Sequence, residues 1–210
     1  DVEFSNFVAE LTTPSDRTTE PGMQTTLTYI VKNTGTSSDS FIIGISDVLG
    51  WADKTRDGAS TPVISPNGTH IEEIVVLVPA GASRALVESI TLTLTSVSAS
   101  YTLTGMARVM SGEHFSASVT MPPGVTMVTP GQEVELSVQI TNDGNIPATF
   151  SLNAGLGVLA NNWTLALSST STAVVDDGST VTIVLTVVVP PIQLPLDVSE
   201  YNRAGDSISV

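Results

Sequence analysis

The side chains able to carry out chemistry are few. His70 and His114 are the two histidines and there is no cysteine, which removes thiolate nucleophiles, disulfides, iron–sulfur ligation and thiolate zinc sites. Neither histidine stands in a His-x-x-x-His or Gly-x-Ser-x-Gly setting. Two histidines fall short of a zinc ligand set, so both read as surface or turn residues. Glycosidic chemistry needs two carboxyls facing each other across a cleft. The adjacent pairs Glu72-Glu73 and Asp176-Asp177 instead point to opposite faces of a strand or lie in a turn. There is no phosphate-cradling glycine motif and no dinucleotide fingerprint, and without a nucleophile–base pair the chain reads as a non-enzyme.

Calcium is the one metal whose ligand chemistry is represented. Asp39, Asp47, Asp53 and Asp57, or Asn142, Asp143 and Asn145, supply hard oxygens that could converge in a loop. No Asp-x-Asp-x-Asp-Gly loop organises them, which leaves Asp143 and Asn145 as weak calcium candidates and a structural calcium as the only cofactor in view. Two sequons, Asn67-Gly68-Thr69 and Asn162-Trp163-Thr164, have the form that N-glycosylation requires in a secreted protein. Asn67 lies in a Pro-Asn-Gly turn expected at the surface.

The bulk properties narrow the partners. The 210 residues carry 21 acidic and 7 basic side chains, a net charge of −14, so nucleic acid and anionic membranes are repelled. A mean hydropathy of +0.27 with 13% charged residues is far from the signature of disorder. The longest apolar runs, Ile74 to Pro79 and Val181 to Pro191, are well short of the ~20 residues that span a bilayer, so no membrane insertion is expected. A start at Asp1 without methionine fits a processed secreted protein and fits a trimmed chain equally well.

These residues must be positioned by a duplicated framework. The stretch from Pro21-Gly22 to Asn33-Thr34-Gly35 recurs from Pro130-Gly131 to Asn142-Asp143-Gly144 at a constant displacement of 109 residues. Each copy is a Pro-Gly turn, an alternating strand and a second tight turn whose asparagine and glycine tolerate left-handed backbone. Thr25, Leu27, Tyr29 and Val31 are predicted to face inward, as are Val134, Leu136, Val138 and Ile140. Phe41 and Phe150 follow in step, and Trp51 and Trp163 read as core residues.

Gly68-Thr69 and Gly178-Ser179 lead into β-branched strands that close at Pro79 and Pro190. The second of these loses its alternation and reads as buried on both faces. Short strands punctuated by Gly, Pro and Asn predict an all-β protein of two tandem immunoglobulin-like β-sandwiches. The expected domains are residues 1–110 and 111–210.

The succession of Pro-Gly turn, alternating strand, Asn-x-Gly, Phe, Trp, β-rich strand and Val-Pro resembles the immunoglobulin-like repeats of prokaryotic surface and secreted proteins, including NPCBM-associated and CARDB-like modules. Val78-Pro79-Ala80-Gly81-Ala82 followed by Ser89 to Ser96 is similar to the closing strands of such repeats. The resemblance implies a sandwich at the exterior of a prokaryotic cell and carries over no catalytic residue.

The ends of the two copies differ. Aligning Ile90 and Leu92 with Ile208 and Val210 gives a displacement of 118, which places the counterpart of Tyr101 to Val109 beyond the last residue, so copy two is expected to lack its last strand. An open sheet edge invites cover. The N-terminal segment Asp1 to Thr12, with Val2, Phe4, Phe7, Ala9 and Leu11, is the expected assembly strand, donated to a neighbouring molecule in an open head-to-tail polymer. The leading expectation is therefore a self-assembling, non-enzymatic surface filament, a homo-oligomer bearing possible glycans. The alternative is a spacer or glycan-binding module cut from a larger adhesin or glycan-active protein, whose next residues would complete the sheet.

Overall fold

The computed structural model describes residues 6–123, 127–156 and 162–191, together with the backbone of 208–209. Every strand or helix among them is a β-strand. The chain divides into two units, Asp1–His114 and Phe115–Val210.

Unit 1 is a sandwich of two sheets. Strands β1 (Ala9–Thr12), β3 (Gln24–Asn33) and β5 (Thr69–Leu77) form one, in the order β1-β3-β5. Strands β2 (Arg17–Thr19), β4 (Phe41–Ser46), β6 (Val87–Ser96) and β7 (Thr102–Ser111) form the other, in the order β2-β7-β6-β4. Side chains alternate across a strand, and each strand sends one apolar row inward. Leu27, Tyr29 and Val31 from β3 meet Ile74 and Val76 from β5, Ile43 from β4 and Ile90, Leu92 and Leu94 from β6, all nearly solvent-free. Burial of this kind stabilises by about 1.5–3 kcal/mol per large aliphatic side chain. Trp51 closes the same core and Phe41 meets Tyr101 edge to face at 6.1 Å.

The first strand changes sheets part-way. β1 pairs antiparallel with β3, and beyond Pro14 the chain crosses over so that β2 pairs in parallel with β7. Proline lacks the N–H that a ladder needs, so it falls where the pairing breaks. Two glycines make room for this passage. A Cβ on Gly105 would lie 2.5 Å from the Thr13 side chain, and one on Gly35 would lie 2.5 Å from the carbonyl oxygen of Asn6.

Unit 2 repeats the first sheet. Strands β8 (Ala117–Thr120), β9 (Glu133–Asn142), β11 (Thr164–Leu167) and β12 (Thr180–Val188) run in the order β11-β12-β9-β8. β8 takes the place of β1, since Ala117 lies opposite Asn142 as Ala9 lies opposite Asn33. A short pair, β10 (Gly155–Leu156) with β13 (Ile208–Ser209), represents the second sheet. Gly155 faces Ser209 as Ser46 faces Thr91, so the alignment of Ile90 with Ile208 holds in the pairing register. Among the described residues β7 has no counterpart.

Two local expectations are corrected. β12 is buried on one face only: Ile183, Leu185 and Val187 point inward while Val188 is well exposed. Its outward positions are filled by residues with high strand propensity, Thr182, Val184 and Thr186, and a β-branched run does not by itself distinguish one buried face from two. The asparagines at the ends of β3 and β9 are not left-handed turn residues either. Within the repeated stretch positive φ belongs to the Pro-Gly turns, +79° at Gly22 and +82° at Gly131, while Asn33 and Asn142 remain in strand and are buried.

Candidate functional site

Each buried asparagine is a three-way staple. In unit 1, Asn33 Nδ2 donates to the carbonyls of Ser37 (2.9 Å) and Ile64 (2.8 Å), and its Oδ1 accepts from Gly35 N at 3.0 Å. In unit 2, Asn142 Nδ2 donates to Ile146 (2.8 Å) and Val175 (2.9 Å), and its Oδ1 accepts from Gly144 N at 3.0 Å. A buried amide is tolerable because its donors and acceptor are all matched. Thr61 and Thr172 likewise each accept from the amide of the repeated phenylalanine, Phe41 or Phe150, at 3.0 Å. At the other end of each strand, the turn glycine donates to the carbonyl of Val78 (Gly22, 2.8 Å) or Val189 (Gly131, 3.0 Å). The repeated motif is therefore scaffold.

Unit 1 adds carboxylates that this scaffold does not require. Glu72 is in phase with the inward row Ile74 and Val76 and is buried. Arg56 grips it with Nε on Oε1 at 3.1 Å and Nη2 on Oε2 at 3.2 Å, and His70 Nε2 lies 3.2 Å from Oε2. These residues, with Ile71 and Glu73, line an open recess of about 380 Å³. Glu73, the adjacent acid, is exposed on the opposite face. Its position matches the alternation of the strand. The recess presents an ion pair whose charges already satisfy each other, so it offers neither a free base nor a free anion-binding fork.

Glu88 went unnoticed in the sequence, and Asp39 was read there only as a candidate calcium ligand. Glu88 is fully buried, in phase with Ile90, Leu92 and Leu94, and its oxygens accept from the amides of Val48 (2.9 Å), Leu49 (2.6 Å) and Ser89 (2.7 Å). A charge in the inward row of an alternating strand was the available signal. Asp39 accepts from Ser96 Oγ at 2.7 Å, Tyr101 Oη at 3.3 Å and Ser40 N at 2.8 Å. Burial pushes the Asp39 carboxyl upward, but the donors on Ser96, Ser98 and Ser40 outweigh it and hold the group below its usual value. Burial, the Asp39 charge and their hydrogen bond push the Tyr101 phenol up to about 12, and burial does the same to Tyr29.

Most of the aspartates named as calcium candidates are engaged locally. Among the described residues no three of His, Asp and Glu gather as ligands for a metal. Asp47 accepts from Ala52 N and pairs with Lys54, whose charge compensates an Oδ1 that has no well-angled donor. Asp53 accepts from Thr55 N and Asp57 from Ile45 N. Asp143 is exposed and Asn145 partly buried, and Asn142 beside them is held by its three bonds. Short aspartates in turns satisfy nearby amides, which is what Asp47, Asp53 and Asp57 do. His114 is partly buried at the end of unit 1 and does not join His70 in any ligand cluster. Asp176 and Asp177 lie in the turn before β12.

The proposed assembly strand is corrected as well. Val2 and Phe4 lie outside the described residues. Phe7 is partly buried, and Ala9 and Leu11 belong to β1, paired with Asn33 and Val31 of the same unit. The carbonyls of Asn6 and Val8 accept from the amides of Thr34 to Ser37. The segment from Asn6 onward is thus held by its own sandwich, through the space that Gly35 and Gly105 leave open. The same position in unit 2 is already filled by β8.

What unit 2 does present is a partly covered apolar face. Leu136 of β9, Phe150 and the β11 residues Leu165 and Leu167 are half-buried, as is Trp163. Their unit 1 counterparts Leu27 and Phe41 are completely enclosed. The asparagines of both sequons are exposed, with φ of +62° at Asn67 and +63° at Asn162.

No family model matches the chain, and no curated protein does. Among solved structures it is similar to the PapD-like domain 7 of human CEP192, with 17% identity over 49% of this chain and 84% of that one and a TM-score of 0.35. It is also similar to the YadV chaperone, with 8% identity over 86% and 85% and a TM-score of 0.32. A third similarity is to the Salmonella enterica SafA pilin in complex with the SafB chaperone, with 9% identity over 84% and 83% and a TM-score of 0.32. These scores are low, and the immunoglobulin-like assignment rests on the strand order and pairing described above.

Proposed function

We propose that this chain is a non-enzymatic structural component of the exterior of a prokaryotic cell, a tandem of immunoglobulin-like sandwiches that joins head to tail into a thread by strand addition at its second unit. The observation that carries this reading is the contrast between the two inner faces. Leu27 and Phe41 are fully enclosed, whereas Leu136 and Phe150 at the repeated positions are half-buried. A strand added at the edge of the second sheet makes main-chain hydrogen bonds there and lays its alternate side chains over that face. Because donor and acceptor surfaces differ, the contact does not close on itself and a linear polymer results. A net charge of −14 keeps the remaining surfaces of neighbouring molecules apart.

Because Asn6 to Thr12 are held in unit 1, the donated strand in this reading is drawn from the segment before Asn6, with Val2 and Phe4 as the side chains a neighbour receives. Electron microscopy of the purified chain is expected to show threads, and removal of residues 1–5 to abolish them without unfolding unit 1. Threads of undiminished length from the shortened chain would rule out N-terminal donation. Monodisperse monomers from the whole chain would overturn self-assembly and fit a spacer module of a larger protein.

A further inference from the structure

We propose that Asn67 is a site of covalent N-linked glycosylation. The inference rests on the exterior location argued above. Asn67 stands at the tip of the turn Ser65-Pro66-Asn67-Gly68, where Gly68 N donates to Ser65 O at 2.8 Å and Asn67 N donates to Asn33 O at 2.8 Å. Its backbone is left-handed, its side chain is exposed, and Thr69, two residues on, is exposed as the first residue of β5.

Comparison with unit 2 separates the role of the backbone from that of the amide. Gly178 N donates to Asn142 O as Asn67 N donates to Asn33 O, and Gly178 has a φ of +68°. The turn therefore requires only a left-handed residue, which glycine supplies with least strain. In the pairing register Gly68 corresponds to Ser179, one place away from the sequence alignment. At Asn67 the chain accepts a more strained residue and gains an amide with no hydrogen-bond partner among the described residues. By contrast, the amides of Asn33 and Asn142 are fully engaged, and the Asn6 Oδ1 accepts from Thr36. Asn162 precedes Trp163 as Gly50 precedes Trp51, with φ values of +63° and +79°. It repeats the exchange of glycine for a sequon asparagine.

The donor would be a sugar activated as a phosphate ester of a lipid carrier, presented by a transferring enzyme outside the cytoplasm. The bond from the sugar C1 to the phosphate oxygen breaks and a bond from C1 to Asn67 Nδ2 forms. The amide proton passes to a base of that enzyme, and the lipid phosphate leaves. No oxidation or reduction is involved.

The test is mass spectrometry of the tryptic peptide Asp57 to Arg84 from the chain recovered from its own cells. The expected result is a peptide heavier by one or more sugar residues on Asn67. Asn67→Gly should lose that mass and melt at the same temperature, because Gly178 occupies the same turn in unit 2. Thr69→Val should also lose it while keeping Asn67 and a strand-forming residue at the start of β5. An unmodified peptide, or one carrying only the mass gain of deamidation at Asn67-Gly68, from a chain in the exterior fraction would overturn glycosylation and leave the exterior reading intact. Recovery of the chain only from the cytoplasm would overturn both.

Discussion

The two units share a frame and differ in what fills it. Both keep the Pro-Gly turn, the buried asparagine staple and the threonine that caps the repeated phenylalanine. Where unit 1 has Glu72 opposite Tyr29, unit 2 has Ile183 opposite Val138, and where Asp39 bridges Ile64, Ala148 bridges Val175. The frame is thus independent of the carboxylates. Replacing a buried ion pair by a well-packed apolar residue is often neutral or stabilising, so Glu72 and Asp39 are not needed to make this sandwich. They fix loops: Glu72 holds the turn carrying Arg56, and Asp39 holds the turn between β6 and β7 through Ser96, Ser98 and Tyr101. Unit 1 is polar-braced and closed, and unit 2 is apolar and partly open.

The largest expected effect tests the openness directly. Leu27→Ala should destabilise unit 1 by about 3–5 kcal/mol and Leu136→Ala should cost unit 2 about 1–2 kcal/mol, because a half-buried side chain leaves less cavity behind. Amide hydrogen exchange in β3 and β9 reads the two separately. Equal losses would mean that the β9 face is as well covered in solution as its counterpart, which would remove the contrast behind strand addition. Next in size, Asn33→Ala and Asn142→Ala should each cost about 2–3 kcal/mol by stranding two carbonyls and an amide. A loss confined to one unit would break the claim of a shared staple.

A smaller effect separates the units by pH. Tyr29 and Tyr101, both in unit 1, have phenols raised to about 12, against about 10 in an unfolded chain. Because the folded-state values are raised, their contribution is complete below pH ~10 and is lost as pH climbs through ~12. Tyrosinate absorbance should show two late-titrating groups, coincident with loss of exchange protection in unit 1 and not in unit 2. Normal titration of both would show that the phenols are not enclosed as described. The smallest effect comes from transplanting the unit 2 chemistry. Glu72→Ile combined with Arg56→Leu should leave the melting temperature of unit 1 unchanged or higher, while Arg56→Ala alone should lower it by leaving Glu72 buried without its partner. Melting of the double variant below the Arg56→Ala variant would show that the frame depends on the carboxylate.

Much of the fold was legible because its determinants are local. Alternation placed Leu27, Tyr29 and Val31 inward, and the Pro-Gly pairs marked turns, although the left-handed backbone was expected at the asparagine turns and lies instead at Gly22 and Gly131. The open face and the staples were less legible. Asn33 was read from its neighbours as a turn residue, but its role depends on Ile64, far along the chain. The N-terminal segment was read as a free strand because its composition suits any edge. The pairing of β1 with β3 and the close approaches at Gly35 and Gly105 show that its edge is its own.

By itself the sequence determined an all-β tandem, the phase of its inward rows and the positions of its turns, since period-two patterning and turn chemistry act over a few residues. Tertiary structure alone decided which polar groups are matched, which strand covers which edge, and that the repeated Leu27 and Leu136 end in different surroundings. Those outcomes depend on partners brought together from distant parts of the chain, and a buried carboxylate such as Glu88 is stable only because the amides of Val48 and Leu49 reach it.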